Sequence, residues 1–368
     1  MAYIKEKKLS FFIKKNKIKN ILVIAGKKSF NSSGFKNLKI FSNFKHIMTV
    51  FYKKKAIPEI NELKSIIKKI NIVNPDLIVA VGGGCVIDYA KLSNGLHNIT
   101  NLTNKIKKNK IKINSNKTKI IAIPTTAGSG AEITNFSVIY VKNVKYSIEH
   151  NLLKPDFFSL IPKMTINSSK TIRASAGFDA IAQATESIFS KKADINSFKY
   201  SSRSLRHSIK NFLIFVNRPN FTNAKLMLKA ANLAGKAISI ARTNAPHSLS
   251  YFFTVRFKIP HGFAVSIFFI QFIKFYYYSM NNLNNSLSLR KKFKFFFKIL
   301  KIRSINEFEL LFKKILINSG IKRMIDNYKI DYKKNLKLII ASVNKERLLN
   351  APINIKNKDL KKIILQFS

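Results

Sequence analysis

A chain of 368 residues exceeds the roughly 250 to 300 at which one hydrophobic core stops growing, so two domains are expected. No apolar run reaches the ~18 residues of a membrane helix, the N-terminal M-A-Y-I-K-E-K-K-L-S lacks a signal-peptide pattern, and one cysteine, Cys85, excludes a disulfide framework. A soluble protein of a reducing cytoplasm is the expectation. The formal net charge of +50 comes chiefly from lysine spread along the whole length with abundant Asn, Ile and Phe, the mark of AT-rich coding. Nucleic-acid binders cluster their charge, so neither a specific nucleic-acid partner nor a membrane is expected.

In chain order, residues 20–25 (N-I-L-V-I-A) form a short buried strand ending at Gly26, and Lys27 to Gly34 is a loop opening a short helix. A second strand is predicted at His46 to Phe51. Pro58 to Ile70 has helical spacing in Ile60, Leu63, Ile66, Ile67 and Ile70. Leu77 to Val81 is a strand running into Gly82-Gly83-Gly84, and the next helix begins near Val86 and carries Asp88 and Lys91. Asn101 to Lys119 is lysine-rich and low in complexity, and is expected as a solvated surface loop. Ile120 to Ile123 is another buried strand, ending in P-T-T-A-G-S-G-A-E. Strand, glycine turn and helix in alternation predict an α/β dinucleotide-binding domain with a parallel sheet over residues 1–163.

From about Met164 the pattern is helical, so residues 164–368 are expected as an all-α domain. Ser175 to Ile188 places Asp179 and Gln183 at i and i+4 on one helix face. Arg290 to Lys301 is a basic amphipathic helix whose Phe293, Phe295, Phe296, Phe297 and Leu300 pack as core.

Three consecutive glycines between strand and helix let the backbone approach a phosphate, and a helix N-terminus offers free N–H groups to the anion. A tight turn without a ligand reads equally well from Gly82, Gly83 and Gly84 alone. The second polar loop, with Thr125, Thr126 and Ser129, turns the balance, because two such loops at strand ends define one crevice. Asp179 in an apolar stretch, with His247 and His261 fourteen residues apart, makes a divalent-metal site if the three side chains meet.

V-G-G-G-C-V-I-D-Y-A-K, I-P-T-T-A-G-S-G-A-E-I-T, G-F-D-A and His247 followed by Pro260-His261-Gly262 stand in one order along nearly the whole chain. Together they resemble the iron-containing (group III) alcohol dehydrogenases, as does Asn350-Ala351-Pro352 near the C-terminus. The resemblance implies a dehydroquinate-synthase-like two-domain fold, an NAD(P) cofactor and a divalent metal, Fe2+ first and Zn2+ as an alternative. A small aldehyde or alcohol substrate and a homodimer are expected with it. It places the cofactor pyrophosphate on Gly82, Gly83 and Gly84, with Asp88, Thr125, Thr126, Ser129 and Lys145 completing the cofactor site. The metal falls to Asp179, Gln183, His247 and His261, and catalysis to Tyr251 and His261.

Three positions depart from the family pattern: Cys85 replaces a serine, Gln183 a histidine ligand, and Tyr251 a histidine near the nicotinamide. Tyr251 reads equally well as a core tyrosine. Gly26, Lys27 and Lys28 stand where an aspartate would repel a 2′-phosphate, so NADP is expected to be accepted. Gln183 and H-S-L-S-Y resemble most a subgroup that reduces phosphonoacetaldehyde to 2-hydroxyethylphosphonate. Arg173, Arg242 and Arg256 are the cations nearest the motifs in sequence. A glycerol-dehydrogenase-like or dehydroquinate-synthase-like enzyme, or a non-catalytic polyanion-binding homologue, are the alternatives.

Overall fold

The computed structural model describes residues 1–280 and 287–366, and its contacts divide the chain into two compact units, Met1–Ser168 and Ser169–Ser368. The first unit holds eight strands: β1 (Ala2–Tyr3), β2 (Ile21–Gly26), β3 (Met48–Lys53), β4 (Leu77–Gly82), β5 (Lys119–Pro124), β6 (Phe136–Val141), β7 (Val144–Glu149) and β8 (Phe157–Phe158). Six of them form one parallel sheet in the order β1-β8-β5-β4-β2-β3.

The central strands read as unbroken apolar runs because both faces of the sheet are covered. Leu22, Ile24, Ile78, Ala80, Ile120 and Ala122 point into one core, which helices α1 (Ile60–Val73) and α2 (Gly84–Gly95) complete. Ile21, Val23, Leu77, Val79, Ile121 and Ile123 point into the other, against Leu9, Phe30, Phe35 and Met164. The two-residue alternation of strand side chains divides each run between the two cores. From β2 the chain steps outward to β3 and returns on the other side as β4, so the strand order reverses between β2 and β4. Open parallel sheets take ligands at such a reversal, beyond the C-terminal strand ends, which here carry Gly26 and Gly82.

Two features differ from the sequence reading. Residues 101–119 are not wholly a solvated loop: Leu102–Lys107 is a short helix, and Leu102, Ile106 and Ile113 are buried in the first core. Four-residue spacing puts Leu102 and Ile106 on one helix face, a signal submerged in lysine. The unanticipated hairpin of β6 and β7 turns at Lys142 and Asn143, both at left-handed φ (+50° and +64°), as a two-residue turn matching strand twist requires.

The second unit is helical among its described residues, built on α3 (Lys170–Phe189), α4 (Ile195–Asn217) and α5 (Phe221–Ala241). Ser169, Asp194 and Asn220 cap their N-termini through side-chain oxygens, as the sequence types favour. Small residues bring the helices close, and Ser204 Oγ donates to the Ala230 carbonyl at 2.8 Å. Then follow α6 (Ala245–Arg256), α7 (His261–Ser266), α8 (Phe269–Ser279), α9 (Leu287–Leu300), α10 (Ile305–Asn318) and, near the C-terminus, α11 (Lys345–Leu349). On α9, Phe293, Phe296 and Leu300 are buried, while Phe295 meets Phe198 at 5.3 Å and Phe297 meets Tyr277 at 6.0 Å. The aromatics of this basic helix are therefore packed rather than offered to a nucleic acid. None of the described helices is long and apolar enough to cross a membrane.

Candidate metal centre and cofactor loops

Asp179, Gln183 and Glu186 lie on one face of α3, four and three residues apart. Asn244 caps α6, its Oδ1 accepting from the Ala245 N–H at 2.8 Å, and Pro246 fits the first turn, which sets His247 at the helix start. His261 opens α7 directly after Pro260. The next residue must be glycine: an added Cβ at Gly262 would overlap the Ser175 carbonyl, and the Gly262 N–H donates to Ser175 Oγ at 3.1 Å. That close approach presses α7 onto α3 and carries His261 to Asp179 and His247.

Ligand atoms of Asp179, His247 and His261 lie within 4.8 Å of one another. His247 Nε2 is 3.1 Å from Asp179 Oδ1, and the two imidazole centroids are 5.4 Å apart. His247 Nδ1 is hydrogen-bonded to Glu186 Oε1. Glu186 is fully buried, its other oxygen accepts from the Asn244 N–H at 2.7 Å, and Asn244 Nδ2 donates to the Glu186 carbonyl at 2.9 Å. Tyr276 completes this frame by donating to Asn244 Oδ1 at 3.0 Å. Glu186 and Asn244 are absent from the sequence-derived set, although the i+7 spacing from Asp179 to Glu186 was open to inspection.

Burial alone would lift the Asp179 carboxyl, but the His247 hydrogen bond and the charge on His261 hold it below the ordinary aspartate range. For His247, burial disfavours the charged ring, yet the Glu186 charge and the bond to Asp179 raise its pKa. Gln183 lies one helical turn from Asp179 on the same face, and its buried Oε1 has no hydrogen-bond partner among the described residues. A buried acceptor left over beside a carboxylate and two imidazoles is the donor set a divalent cation satisfies, so these residues fit a metal.

Tyr251 lies one helical turn beyond His247, its ring stacked on His261 at 6.1 Å and 10°. Burial raises its pKa, the Arg347 guanidinium opposes that rise, and Glu186 and Asp179 add to it. The phenol is thus a hydrogen-bond donor rather than a base at neutral pH. Of the arginines singled out in sequence, Arg173 donates to the Val216 carbonyl through Nε and Nη2. The cation whose field reaches Tyr251 is Arg347, which sequence proximity did not suggest.

In the first unit the two loops meet at the ends of β4 and β5. The Thr125 N–H donates to the Gly82 carbonyl at 3.0 Å, and a Cβ on Gly84 would come within 2.7 Å of Ser129 Oγ. Thr126 Oγ1 stands over Gly83, and Thr125 Oγ1 is buried with no hydrogen-bond partner among the described residues. Gly83 precedes α2 without a side-chain cap, leaving the first N–H groups of that helix open. Asp88 Oδ2 accepts from the Val138 N–H at 3.2 Å, and Lys145 on β7 lies within its electrostatic reach. Lys91, fully buried, donates to the Ala131 carbonyl at 3.1 Å, Thr134 Oγ1 at 3.0 Å and the Phe136 carbonyl at 2.6 Å. It pins the loop carrying Thr125 to Ser129 onto α2, and burial lowers its pKa to about 8.

The first unit is thus a parallel sheet with a glycine turn at the C-terminal ends of its strands, and the second a helical unit holding an Asp–His–His cluster that fits a metal, a two-unit class of α/β plus all-α protein. Residues 5–162 match the family described as iron-containing alcohol dehydrogenase, and residues 173–367 match its C-terminal family. The chain belongs to the iron-containing alcohol dehydrogenase family. It is similar to 4-hydroxybutyrate dehydrogenase of Clostridium kluyveri, 29% identical over 235 residues that cover 62% of each chain. In fold it is similar to sulfoacetaldehyde reductase from Bifidobacterium kashiwanohense, solved with NAD+ (TM-score 0.87, 20% identity, 100% of this chain and 96% of that one). It is equally similar to an iron-containing alcohol dehydrogenase from Thermococcus thioreducens (TM-score 0.87, 21% identity, 99% and 97%). The chain spans less than two thirds of the length of the first curated relatives it matches, 62% of one and 26% of another.

Proposed function

We propose that the protein is a metal-dependent, NAD(P)-linked alcohol dehydrogenase or aldehyde reductase. The observation that carries this reading is the convergence of Asp179, His247 and His261, with Gln183 Oε1, unpartnered among the described residues, on the same face of α3 as Asp179. Asp179, His247 and His261 would hold the cation, with Gln183 as a weaker fourth ligand, and Fe2+ is the metal the family points to. When bound, a divalent cation supplies Lewis acidity toward a carbonyl oxygen, and the nicotinamide supplies the hydride. Gly82, Gly83 and Gly84, with the open N–H groups of α2, would take the pyrophosphate, flanked by Thr125, Thr126 and Ser129. Asp88 and Lys145 border the same strand ends. Glu186 fixes the tautomer and orientation of His247, and Tyr251 holds a hydroxyl proton beside His261.

For the finer specificity, β2 ends at Gly26 with no carboxylate, Lys27 and Lys28 follow, and a Cβ on Gly26 would be 3.7 Å from Lys53 Cε. Three cations and no acid at that position support acceptance of NADP. Phosphonoacetaldehyde, reduced to 2-hydroxyethylphosphonate, is the substrate that the departures at Gln183 and Tyr251 favour.

The test is to measure bound metal and rates with NADH and NADPH on one preparation, across aldehydes that include phosphonoacetaldehyde. Turnover that disappears with the metal in His261→Ala, while the circular dichroism spectrum is kept, is the expected result. An unchanged rate in that variant rejects a catalytic metal. Strong activity with NADH and little with NADPH sinks the NADP assignment.

A further inference from the structure

We propose that Arg347 anchors an anionic group on the substrate, so that the centre takes small alcohols and aldehydes bearing a terminal oxyanion such as a phosphonate, sulfonate or carboxylate. The inference rests on the dehydrogenase reading above and assigns a specificity-determining residue within it.

Helix α11 packs against α6, the helix that carries His247 and Tyr251. Asn344 ties the two together: its N–H donates to the Ser248 carbonyl at 3.4 Å, and its Oδ1 caps α11 by accepting from the Arg347 N–H at 2.9 Å. Arg347 is half-buried, and its Nη1 donates to Oγ1 of the buried Thr243. Thr243 immediately precedes Asn244, which holds Glu186 and through it His247. The guanidinium is therefore fixed to the same frame as the metal ligands.

A guanidinium has five N–H donors, and this bond to Thr243 is the one side-chain hydrogen bond it makes among the described residues. No carboxylate there lies within ion-pair distance of it; Asp179 and Glu186 are both engaged with His247, and the neighbouring Glu346 is exposed and acts on Tyr251 more weakly than Arg347 does. A partly desolvated cation without a counter-ion is costly unless a ligand supplies one. The planar fork suits the paired oxygens of a phosphonate, sulfonate or carboxylate. Its field reaches the Tyr251 hydroxyl, whose ring stacks on the ligand His261, so an oxyanion held at Arg347 would lie on the Tyr251 side of the centre.

The experiment compares oxidation of 4-hydroxybutyrate and 2-hydroxyethylphosphonate with that of 1-butanol in the metal-loaded enzyme and its Arg347→Gln and Arg347→Lys variants. The ratio of kcat/KM for each anionic alcohol over 1-butanol should fall roughly 100-fold in Arg347→Gln. Arg347→Lys, which keeps the charge but not the fork, should fall in between. An equal loss for anionic and neutral alcohols means a structural role and overturns the proposal, as does no loss. A fall for one anionic alcohol alone identifies which oxyanion the site takes. Calorimetric binding of 2-hydroxyethylphosphonate supplies a readout independent of turnover. If no alcohol is oxidised, the dehydrogenase reading fails by itself, and binding that Arg347→Gln leaves undiminished, or no binding at all, overturns the anion site.

Discussion

Glu186 and His247 are hydrogen-bonded in the buried interior of the helical unit, carboxylate oxygen to imidazole Nδ1. An ionised carboxylate only accepts, so Nδ1 carries the proton, and Nε2 is left facing Asp179 Oδ1 at 3.1 Å. That second nitrogen either shares a proton with Asp179 or offers a lone pair to a cation that Asp179 also ligates. Glu186 therefore orients the ring and would make it a stronger ligand for a bound cation, the role that carboxylates behind metal-bound histidines serve generally.

Replacing Glu186 by Gln should lower metal affinity by roughly 10- to 100-fold with the helical fold retained. Competition against a chelator, with circular dichroism on the same samples, measures both. Wild-type affinity in the variant would remove Glu186 from this role.

The raised pKa of His247 gives metal binding a defined pH dependence. Below the folded-state pKa the Nε2 proton must leave before a cation can bind, so affinity should fall by about tenfold per pH unit there. The metal-free protein should behave oppositely: a folded pKa above the ordinary 6.5 contributes stability that is complete below 6.5 and lost as pH rises through the folded value. Melting temperature against pH, with and without metal, checks both signs. Parallel profiles for the two forms would contradict the exchange of a proton for a cation.

Gly262→Ala should destabilise the protein by about 1–3 kcal/mol, because its Cβ cannot coexist with the Ser175 carbonyl unless α7 moves. Since His261 precedes it, metal content should drop together with stability. Urea unfolding and elemental analysis decide the case, and an Ala variant with full metal would show that α7 tolerates the shift.

Lys91→Met should cost about 3–5 kcal/mol, since it strands two carbonyls, the Thr134 hydroxyl and Asp88, 3.9 Å away, without their buried cation. In the wild type the folded pKa of about 8 lies below the ordinary 10.5, so protonation of Lys91 opposes folding below pH 8. That penalty should be relieved as pH rises from 8 toward 10.5. Denaturant unfolding of the two proteins should therefore diverge toward the alkaline end, as the wild type gains stability and the variant does not; a constant difference would assign Lys91 no such titration.

The parallel sheet was legible because β2, β4 and β5 are covered on both faces and so appear as uninterrupted β-branched runs. The glycine turn and the T-T-A-G-S-G loop were legible because each depends on residue type and local backbone, whereas the grouping of Asp179, His247 and His261 was implied by the family resemblance. The β6–β7 hairpin was not, since its turn, Lys142-Asn143, lacks the glycine that usually announces one. The buried Leu102 and Ile106 were hidden by the lysines around them.

What the sequence determined by itself is therefore the layering of the sheet and the helical second half, both set by periodicity along the chain, while Asp179, His247 and His261 were named through the family resemblance. The tertiary structure alone decided what stands behind and beside those ligands. Glu186 and Asn244 are 58 residues apart and Thr243 and Arg347 are 104 apart, yet each pair is hydrogen-bonded. Contacts of that kind depend on which helix faces pack together, and a one-dimensional pattern does not contain that information.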